Sequence, residues 1–127
     1  MKWISAQEVI AFHDLLLAAL PGVQGMPEPG RAEAIICRVH NQLYYEGVED
    51  IHELAAIYLV AISRGHIFND GNKRTAFLVA MAFLKRNGID IRDEGDELEE
   101  LTVSAATGSV SSGDVAAVLR RLSINPH

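Results

Sequence analysis

The 127-residue sequence contains a single cysteine, Cys37, and no long uncharged apolar run. One cysteine excludes an internal disulfide and any zinc site that needs several cysteines, a pattern typical of a reducing compartment. The longest uncharged apolar run, Thr75 to Leu84, is about half of what a membrane-spanning helix needs. The N-terminus also lacks the apolar core of a signal peptide. These absences predict a cytoplasmic protein with no membrane-crossing segment.

Positive charge is also scarce. The chain has 11 lysines and arginines against 17 aspartates and glutamates, a net charge of −6. This balance argues against direct binding to nucleic acid, because nonspecific binding depends on cations that release counterions from phosphates. The length and the hydrophobic content of 49% predict a single domain over residues 1–127.

Helix start and stop signals predict six helices. Ser5 and Glu8 form a capping box, and Asp50 with Glu53 forms another N-terminal signal. Glycines and prolines follow most of the predicted helix C-termini. The predicted helices cover residues 6–20, 30–46, 51–64, about 71–87, 95–107 and 112–122, with a short extended segment at 89–91. This order predicts an all-α fold.

The fourth predicted helix contains the uncharged run at 75–84 and is apolar on every side. Such a pattern is typical of a helix that other helices surround, so we expect it to be the central helix. It begins near Asp70 or Gly71, within the stretch GHIFNDGNKRTAF at 65–77. The free N–H groups and the partial positive charge of that helix end, about +0.5, would therefore point out of the core.

Two cations lie where that helix begins. Lys73 and Arg74 occupy its first turn, where the helix dipole disfavours positive charge by roughly 0.3–1 kcal/mol each. A bound phosphate would resolve this conflict, since helix N–H groups and cations together make an anion site. Gly71 would let the backbone approach the anion without a Cβ. The two residues alone are equally consistent with exposed surface cations.

The other polar residues of the loop also have two interpretations each. Asp70 is either an N-cap or a Mg²⁺ ligand beside phosphate oxygens. Asn72 is either a surface amide or a phosphate donor. His66 is either structural or a base that accepts a proton from an attacking hydroxyl. One histidine and one carboxylate argue against a zinc site.

The remaining residues of interest receive structural interpretations. Phe68 is predicted to anchor the loop in the core. The histidines without comparable neighbours in the sequence are interpreted as ordinary residues, and they are His13, His40, His52 and His127.

HIFNDGNKR, residues 66–74, resembles the core motif of the Fic/Doc family, His-Pro-Phe-x-Asp/Glu-Gly-Asn-Gly/Lys-Arg. PGRAEAII at 29–36, YLVAISRGHIFND at 58–70 and LTVSAATG at 101–108 are similar to the small toxin members of the family. The resemblance thus covers nearly the whole chain. It implies a compact helical bundle of the Fic type around the helix that follows the motif loop, and a nucleotide-dependent transferase acting on a protein hydroxyl.

The resemblance also implies roles for single residues. His66 would be the general base toward the target hydroxyl, and Asp70 would be the ligand of Mg²⁺. Arg74 would stabilise charge in the transition state. The residues implied to surround the phosphates of ATP are Gly71, Asn72, Lys73 and Arg74.

Three positions depart from the general family pattern. Ile67 replaces a proline, Lys73 stands where adenylylating members have a second glycine, and Phe77 stands where many have a second arginine. The toxin members share these departures, and in them the nucleotide binds reversed so that the γ-phosphoryl group is delivered. A lysine at position 73 leaves less space for the phosphate group that adenylylating members place there. Its charge can instead bind another phosphate of the nucleotide. The resemblance therefore implies a protein kinase, with a threonine of elongation factor Tu as target and translation arrest as outcome.

Many family members block their own site with a Ser/Thr-x-x-x-Glu-Gly/Asn helix. Glu46 and Glu94 precede a glycine, but Gln42 and Asp90 stand four residues earlier, so no internal inhibitory motif is present. The resemblance implies a type II toxin–antitoxin module with a separate antitoxin of the prevents-host-death type, binding as a helix in an apolar groove. YYEGVED, residues 44–50, is either the flap that aligns the target segment or an ordinary turn between helices.

Two other functions remain open at this point. A Fic-type adenylyltransferase would use the same residues. A non-catalytic helical binding module, which binds an anion or a peptide, would have no use for a base at His66. We expect the kinase because the residues for catalysis, His66, Asp70 and Arg74, are all present.

Overall fold

The computed structural model of the protein describes residues 1–19, 21–92 and 96–124. Over these ranges the chain forms six α-helices and one two-stranded antiparallel ladder, which confirms the predicted all-α fold. The helices are α1 (Ala6–Ala19), α2 (Arg31–Glu46), α3 (Ile51–Arg64), α4 (Asn72–Arg86), α5 (Glu97–Thr107) and α6 (Ser112–Leu122).

Where both can be compared, the observed bounds lie within two residues of the predicted ones, and those of α3 and α6 coincide with them. Leu20 and Gly95, the predicted ends of the first and fifth helices, lie outside the described residues. Strand β1 (Asp90–Ile91) falls in the predicted extended segment and pairs with β2 (Ser123–Ile124), which follows α6 directly.

Helices α1 and α3 begin where local side chains satisfy their free N–H groups. At α1, Ser5 Oγ accepts from the Glu8 N–H at 3.1 Å, and a Glu8 carboxylate oxygen accepts from the Ser5 N–H at 3.1 Å. At α3, the Asp50 carboxylate accepts from the N–H groups of His52 and Glu53. Both capping signals predicted from the sequence are confirmed.

Helices α3 and α4 form the centre of the bundle. α3 packs against α2, α4, α5 and α6, and α4 packs against α1, α3 and α5. The core contains fully buried side chains of both helices, among them Leu54, Tyr58 and Ile62 of α3 and Val79 and Phe83 of α4. The helix that follows the motif loop is therefore a core helix, as predicted.

One face of α4 is less covered than the sequence suggests. Phe77 and Leu78 are only half-buried. Together with Leu16 of α1 and Val103 of α5 they line an open groove of about 440 Å³, which also reaches Lys73 and Arg74. We refer to this cavity as the α1–α4–α5 groove.

None of the helices in the described ranges has the length and apolar character needed to cross a lipid bilayer.

Candidate active site

The motif loop connects the C-terminus of α3 to the N-terminus of α4 and is fixed by a tight turn at its start. At Gly65, a Cβ would lie 2.5 Å from Ile35 Cδ1 and 2.7 Å from the Ala61 carbonyl oxygen. Only glycine therefore fits where the chain leaves α3 against α2.

Two buried apolar side chains pin the loop to the core. Ile67 is fully buried and Phe68 is 3% exposed, which confirms Phe68 as an anchor. Between this anchor and the turn, His66 is exposed and has φ of 49°, a left-handed conformation that is uncommon for a residue with a Cβ. Such strained residues occur often at functional sites, where the surrounding structure holds them.

Asn72 clamps the loop. Its Oδ1 accepts from the Phe68 N–H at 3.0 Å, and its Nδ2 donates to the Phe68 carbonyl oxygen at 2.9 Å. Both polar atoms of the side chain are thus engaged by the loop itself. What Asn72 offers a phosphate is its main-chain N–H at the first position of α4.

The N-terminus of α4 has the features of an anion site. The N-cap is Gly71, with φ of 81° and no side-chain hydrogen bond to the first turn. Lys73 and Arg74 are exposed there, and the first turn contains no acidic residue. Uncapped N–H groups, the helix dipole and two cations favour a phosphate at this end.

Asp70 lies immediately before that N-cap and does not cap the helix. Its Oδ1 accepts from the Gly71 N–H at 2.8 Å and its Oδ2 from the Val23 N–H at 3.3 Å. The described ranges contain no cluster of three or more His, Cys, Asp or Glu side chains that could hold a metal ion. An exposed carboxylate beside a phosphate site suits Mg²⁺, which takes one or two carboxylates and completes its shell with phosphate oxygens and water.

His13 supports the motif loop, although the sequence suggested an ordinary residue. Its side chain is 1% exposed, and its ring stacks on Phe68 with centroids 3.6 Å apart and planes 4° from parallel. His13 Nε2 lies 2.8 Å from the Asp70 carbonyl oxygen. Because a carbonyl only accepts, Nε2 must carry the proton and donate. The signal in the sequence was weak, since only packing of α1 on α4 brings the two residues together.

His40 and His52 are structural, as predicted. His40 Nε2 lies 2.7 Å from the Tyr58 hydroxyl, and His52 Nε2 bonds to the Ser123 hydroxyl. His127 lies outside the described residues.

The connection between α1 and α2 contacts the motif loop directly. The Asn69 N–H donates to the Gly25 carbonyl oxygen at 2.9 Å, and Asn69 Nδ2 donates to the Gln24 carbonyl oxygen at 3.1 Å. With the bond from Val23 to Asp70, these contacts place residues 22–25 beside the site.

Residues 44–50 are not a flap over the site. Tyr44 and Gly47 line a cavity with Trp3, and the neighbouring Lys2 is hydrogen-bonded to Asn87 at the C-terminus of α4. The segment therefore lies at the end of the bundle opposite the motif loop, and the flap interpretation was wrong. The segment is a turn between helices, because Gly47 ends α2 and Asp50 caps α3.

Comparison with known proteins gives the same family as the motif. The Fic/DOC family matches residues 3–84. Over 122 residues the chain is 53% identical to the protein kinase doc of Escherichia phage P1, covering 96% of each chain. It is 30% identical over 118 residues to the toxin Doc of Mycolicibacterium smegmatis, covering 88% of this chain and 91% of that one. The motif loop, the helical fold and these similarities together establish that the chain belongs to the Fic/Doc family.

Proposed function

We propose that this protein is the toxin of a type II toxin–antitoxin module and that it transfers the γ-phosphoryl group of ATP to a threonine of elongation factor Tu. The observation that carries the proposal is the motif loop, which presents His66 and Asp70 next to the uncapped, cationic N-terminus of α4. The relative from phage P1 is named a protein kinase and the mycobacterial one a toxin, and both names support it.

The phosphates of ATP would bind at the N-terminus of α4. The main-chain N–H groups of its first turn and the side chains of Lys73 and Arg74 supply the donors, and Gly71 leaves the backbone open to them. Asp70 would hold Mg²⁺, which when bound neutralises charge on the phosphate oxygens. Phosphoryl transfer needs mainly positioning and charge stabilisation, and this cradle supplies both.

His66 would act as the general base. The attacking hydroxyl oxygen forms a bond to the γ-phosphorus while the bond from that phosphorus to the bridging oxygen of ADP breaks. The hydroxyl proton passes to an imidazole nitrogen of His66. Arg74 would stabilise the negative charge that spreads over the transferring group.

Lys73 and Phe77 favour the kinase over the adenylyltransferase. Both residues line the α1–α4–α5 groove. A long cation at 73 occupies space that a second glycine would leave open, and an aromatic ring at 77 offers no charge to a terminal phosphate. Adenylyl transfer by the same residues is the second candidate.

The test uses the purified protein, purified elongation factor Tu, Mg²⁺ and ATP labelled at either the α or the γ phosphorus. We expect label on the target from γ-labelled ATP only. Label from α-labelled ATP would establish the adenylyltransferase, and no label from either would favour the non-catalytic binding module.

Two variants make this test specific. His66→Asn removes the base, and asparagine tolerates the left-handed conformation better than alanine does, so the loop is retained. Lys73→Met removes the proposed phosphate cation, and Lys85→Met at the other end of α4 is its matched control. We expect transfer to be lost in the first, reduced in the second and unchanged in the control.

We propose that the antitoxin binds in the α1–α4–α5 groove. Its apolar floor of Leu16, Phe77 and Leu78 lies directly beside Lys73 and Arg74, so a helix of a prevents-host-death antitoxin lying there would also cover the phosphate site. Phe77→Glu is expected to abolish inhibition by a co-purified antitoxin, and unaltered inhibition would exclude this groove.

An elongation factor as target implies that the reaction takes place in the cytoplasm, without direct contact to nucleic acid.

A further inference from the structure

A second cavity, of about 470 Å³, lies on the His66 side of the motif loop, between the N-terminal part of α2 and the turn out of α3. Its charged and titratable lining side chains are those of Glu28, Arg31, Arg38, Arg64 and His66. We refer to this cavity as the arginine pocket. It is separate from the groove that contains Lys73 and Arg74.

The pocket is positive on a protein whose net charge is −6. Three arginines face one acid, and only Arg31 is near that acid, with its Nη1 3.2 Å from a Glu28 carboxylate oxygen. Arg38 has no hydrogen bond or ion pair with any other residue in the part of the chain that the structure describes. Such uncompensated guanidinium groups beside a catalytic loop favour an anionic ligand.

Arg64 gives the pocket a rigid wall. Its Nε donates to the Ala105 carbonyl oxygen at 2.6 Å and its Nη2 to the Val110 carbonyl oxygen at 2.8 Å. These bonds hold the guanidinium in place without neutralising it, because carbonyl groups carry no net charge. A pre-positioned guanidinium loses little conformational entropy when it binds a carboxylate.

The position of His66 indicates what enters the pocket. The proposed phosphate cations line the α1–α4–α5 groove, whereas the base lines the arginine pocket. A base that takes the proton of the attacking hydroxyl must face the hydroxyl-bearing partner. The arginine pocket therefore lies on the acceptor's side of the reaction.

Resting on the proposed function, we infer that the arginine pocket binds a carboxylate side chain of the protein substrate, an aspartate or glutamate close to the hydroxyl that is phosphorylated. Arginine binds carboxylates in a planar, bidentate geometry, so such a contact would orient the acceptor segment as well as attract it. The pocket would thus select acidic acceptor sequences over neutral ones.

The first experiment measures binding without any transfer. A fluorescein-labelled peptide with threonine between aspartates, and the same peptide with asparagines in place of the aspartates, are titrated with full-length protein and followed by anisotropy. We expect the acidic peptide to bind, and Arg38→Glu to weaken it at least about ten-fold. Glu28→Gln, which releases Arg31, should tighten it several-fold. Arg121→Glu, the same charge reversal at the C-terminal end of α6, is the matched control and should change nothing.

Several outcomes would overturn the inference. They are no binding of the acidic peptide, equal binding of the neutral one, or equal losses in Arg38→Glu and Arg121→Glu. Competition by ADP with Mg²⁺, together with weaker ADP binding in Arg38→Gln, would assign the pocket to the nucleotide instead.

The second experiment separates this inference from the proposed function. With labelled ATP and elongation factor Tu, Arg38→Gln should raise the KM for the protein substrate and leave the KM for ATP as it is. If the unaltered protein transfers no label, the proposed function fails, while the peptide titration still decides the binding site. If transfer proceeds and the KM for the protein does not move, the inference fails alone.

Discussion

Single residues outside the motif hold the motif loop in shape. His13 is contributed by α1, yet it stacks on Phe68 and donates to the Asp70 carbonyl oxygen. This contact holds the main chain at Asp70, from which the carboxylate projects. Because a misplacement of about 1 Å can reduce a rate about a hundred-fold, a residue that touches no substrate can still govern transfer.

Replacing His13 by phenylalanine should separate packing from positioning. His13→Phe keeps a ring against Phe68 but loses the hydrogen bond to Asp70 and the contact of Nδ1 with the exposed Asp14 carboxylate, so we expect the free energy of unfolding to fall by about 1 kcal/mol and the transfer rate to fall about ten-fold. His13→Gln can donate again and should recover part of the rate. Urea unfolding and labelled-ATP kinetics measure the two effects.

His40→Phe is the control for that prediction. It makes the same exchange at a histidine that bonds to Tyr58, so stability should fall while the rate per folded molecule is retained. Equal rate losses in His13→Phe and His40→Phe would contradict the positioning role.

Thr75 carries the buried side-chain oxygen that lacks a hydrogen-bond partner within the described residues. Its side chain is fully buried in the first turn of α4, so its hydroxyl has lost water without compensation. Thr75→Val, of similar shape, should raise the free energy of unfolding by about 1 kcal/mol or more. Thr102 is the comparison, because its hydroxyl donates to the Leu98 carbonyl oxygen at 2.8 Å. Thermal unfolding that shows a gain for Thr102→Val and a loss for Thr75→Val would refute the argument.

At the scale of elements, the connection between α1 and α2 forms one wall of the site. It bonds to Asn69 and Asp70 through its main-chain groups. The shape of the site therefore depends on how closely this backbone approaches the motif loop, and less on the side chains of the connection. At Gly22, a Cβ would lie 2.9 Å from Leu17 Cδ2 and 3.1 Å from Asp70 Oδ2. A side chain there must displace one of the two.

Gly22→Ala should therefore impair transfer more than folding. We expect the rate to fall about ten-fold as the Asp70 carboxylate shifts, with a change in unfolding free energy below about 1 kcal/mol at this exposed position. Gly113→Ala in α6 is the matched control, since a Cβ there meets only Ser111 Oγ at 3.6 Å. It should leave the rate unchanged and stabilise α6 slightly. A normal rate in Gly22→Ala would mean that Leu17 moves instead.

At the scale of the whole molecule, two histidines tie separate elements together in their neutral form. His40 joins α2 to α3 through Tyr58, whose pKa burial raises to about 12. His52 joins α3 to β2 through Ser123. Burial lowers the pKa of both histidines, and for His52 this outweighs the opposing effect of Asp50.

These shifts predict that stability decreases in mild acid. A histidine whose pKa is lower in the folded than in the unfolded state stabilises the fold fully above the unfolded value of about 6.5. That contribution is lost as the pH falls from there toward the folded pKa, because the unfolded chain takes up the proton first. We expect the free energy of unfolding, measured by urea titration, to fall between about pH 7.5 and pH 5.5 by up to about 1 kcal/mol per histidine.

The double variant His40→Gln/His52→Gln should flatten this pH dependence at constant ionic strength. A midpoint that stays level in the unaltered protein, or a slope that the double variant retains, would contradict the assignment.

The sequence by itself determined the helices and the chemistry of the motif. The signals that set helix bounds act on near neighbours along the chain, so these bounds were predictable to within two residues. These signals include the capping residues Ser5 and Asp50, the glycine at 47 and the periodic apolar positions. Within the motif, the proximity of Asp70, Lys73 and Arg74 is likewise local. The anchor role of Phe68 followed from its large apolar side chain between the polar residues of the motif.

Only the tertiary structure decided which distant residues surround that motif. His13 meets Asp70 across 57 positions of sequence, the 22–25 connection rather than residues 44–50 forms the neighbouring wall, and the arginine pocket combines Arg38 of α2 with Arg64 of α3. These contacts depend on how α1 and α2 pack against α3 and α4. No capping signal or helical period encodes that packing, because it depends on the fit of many buried side chains at once.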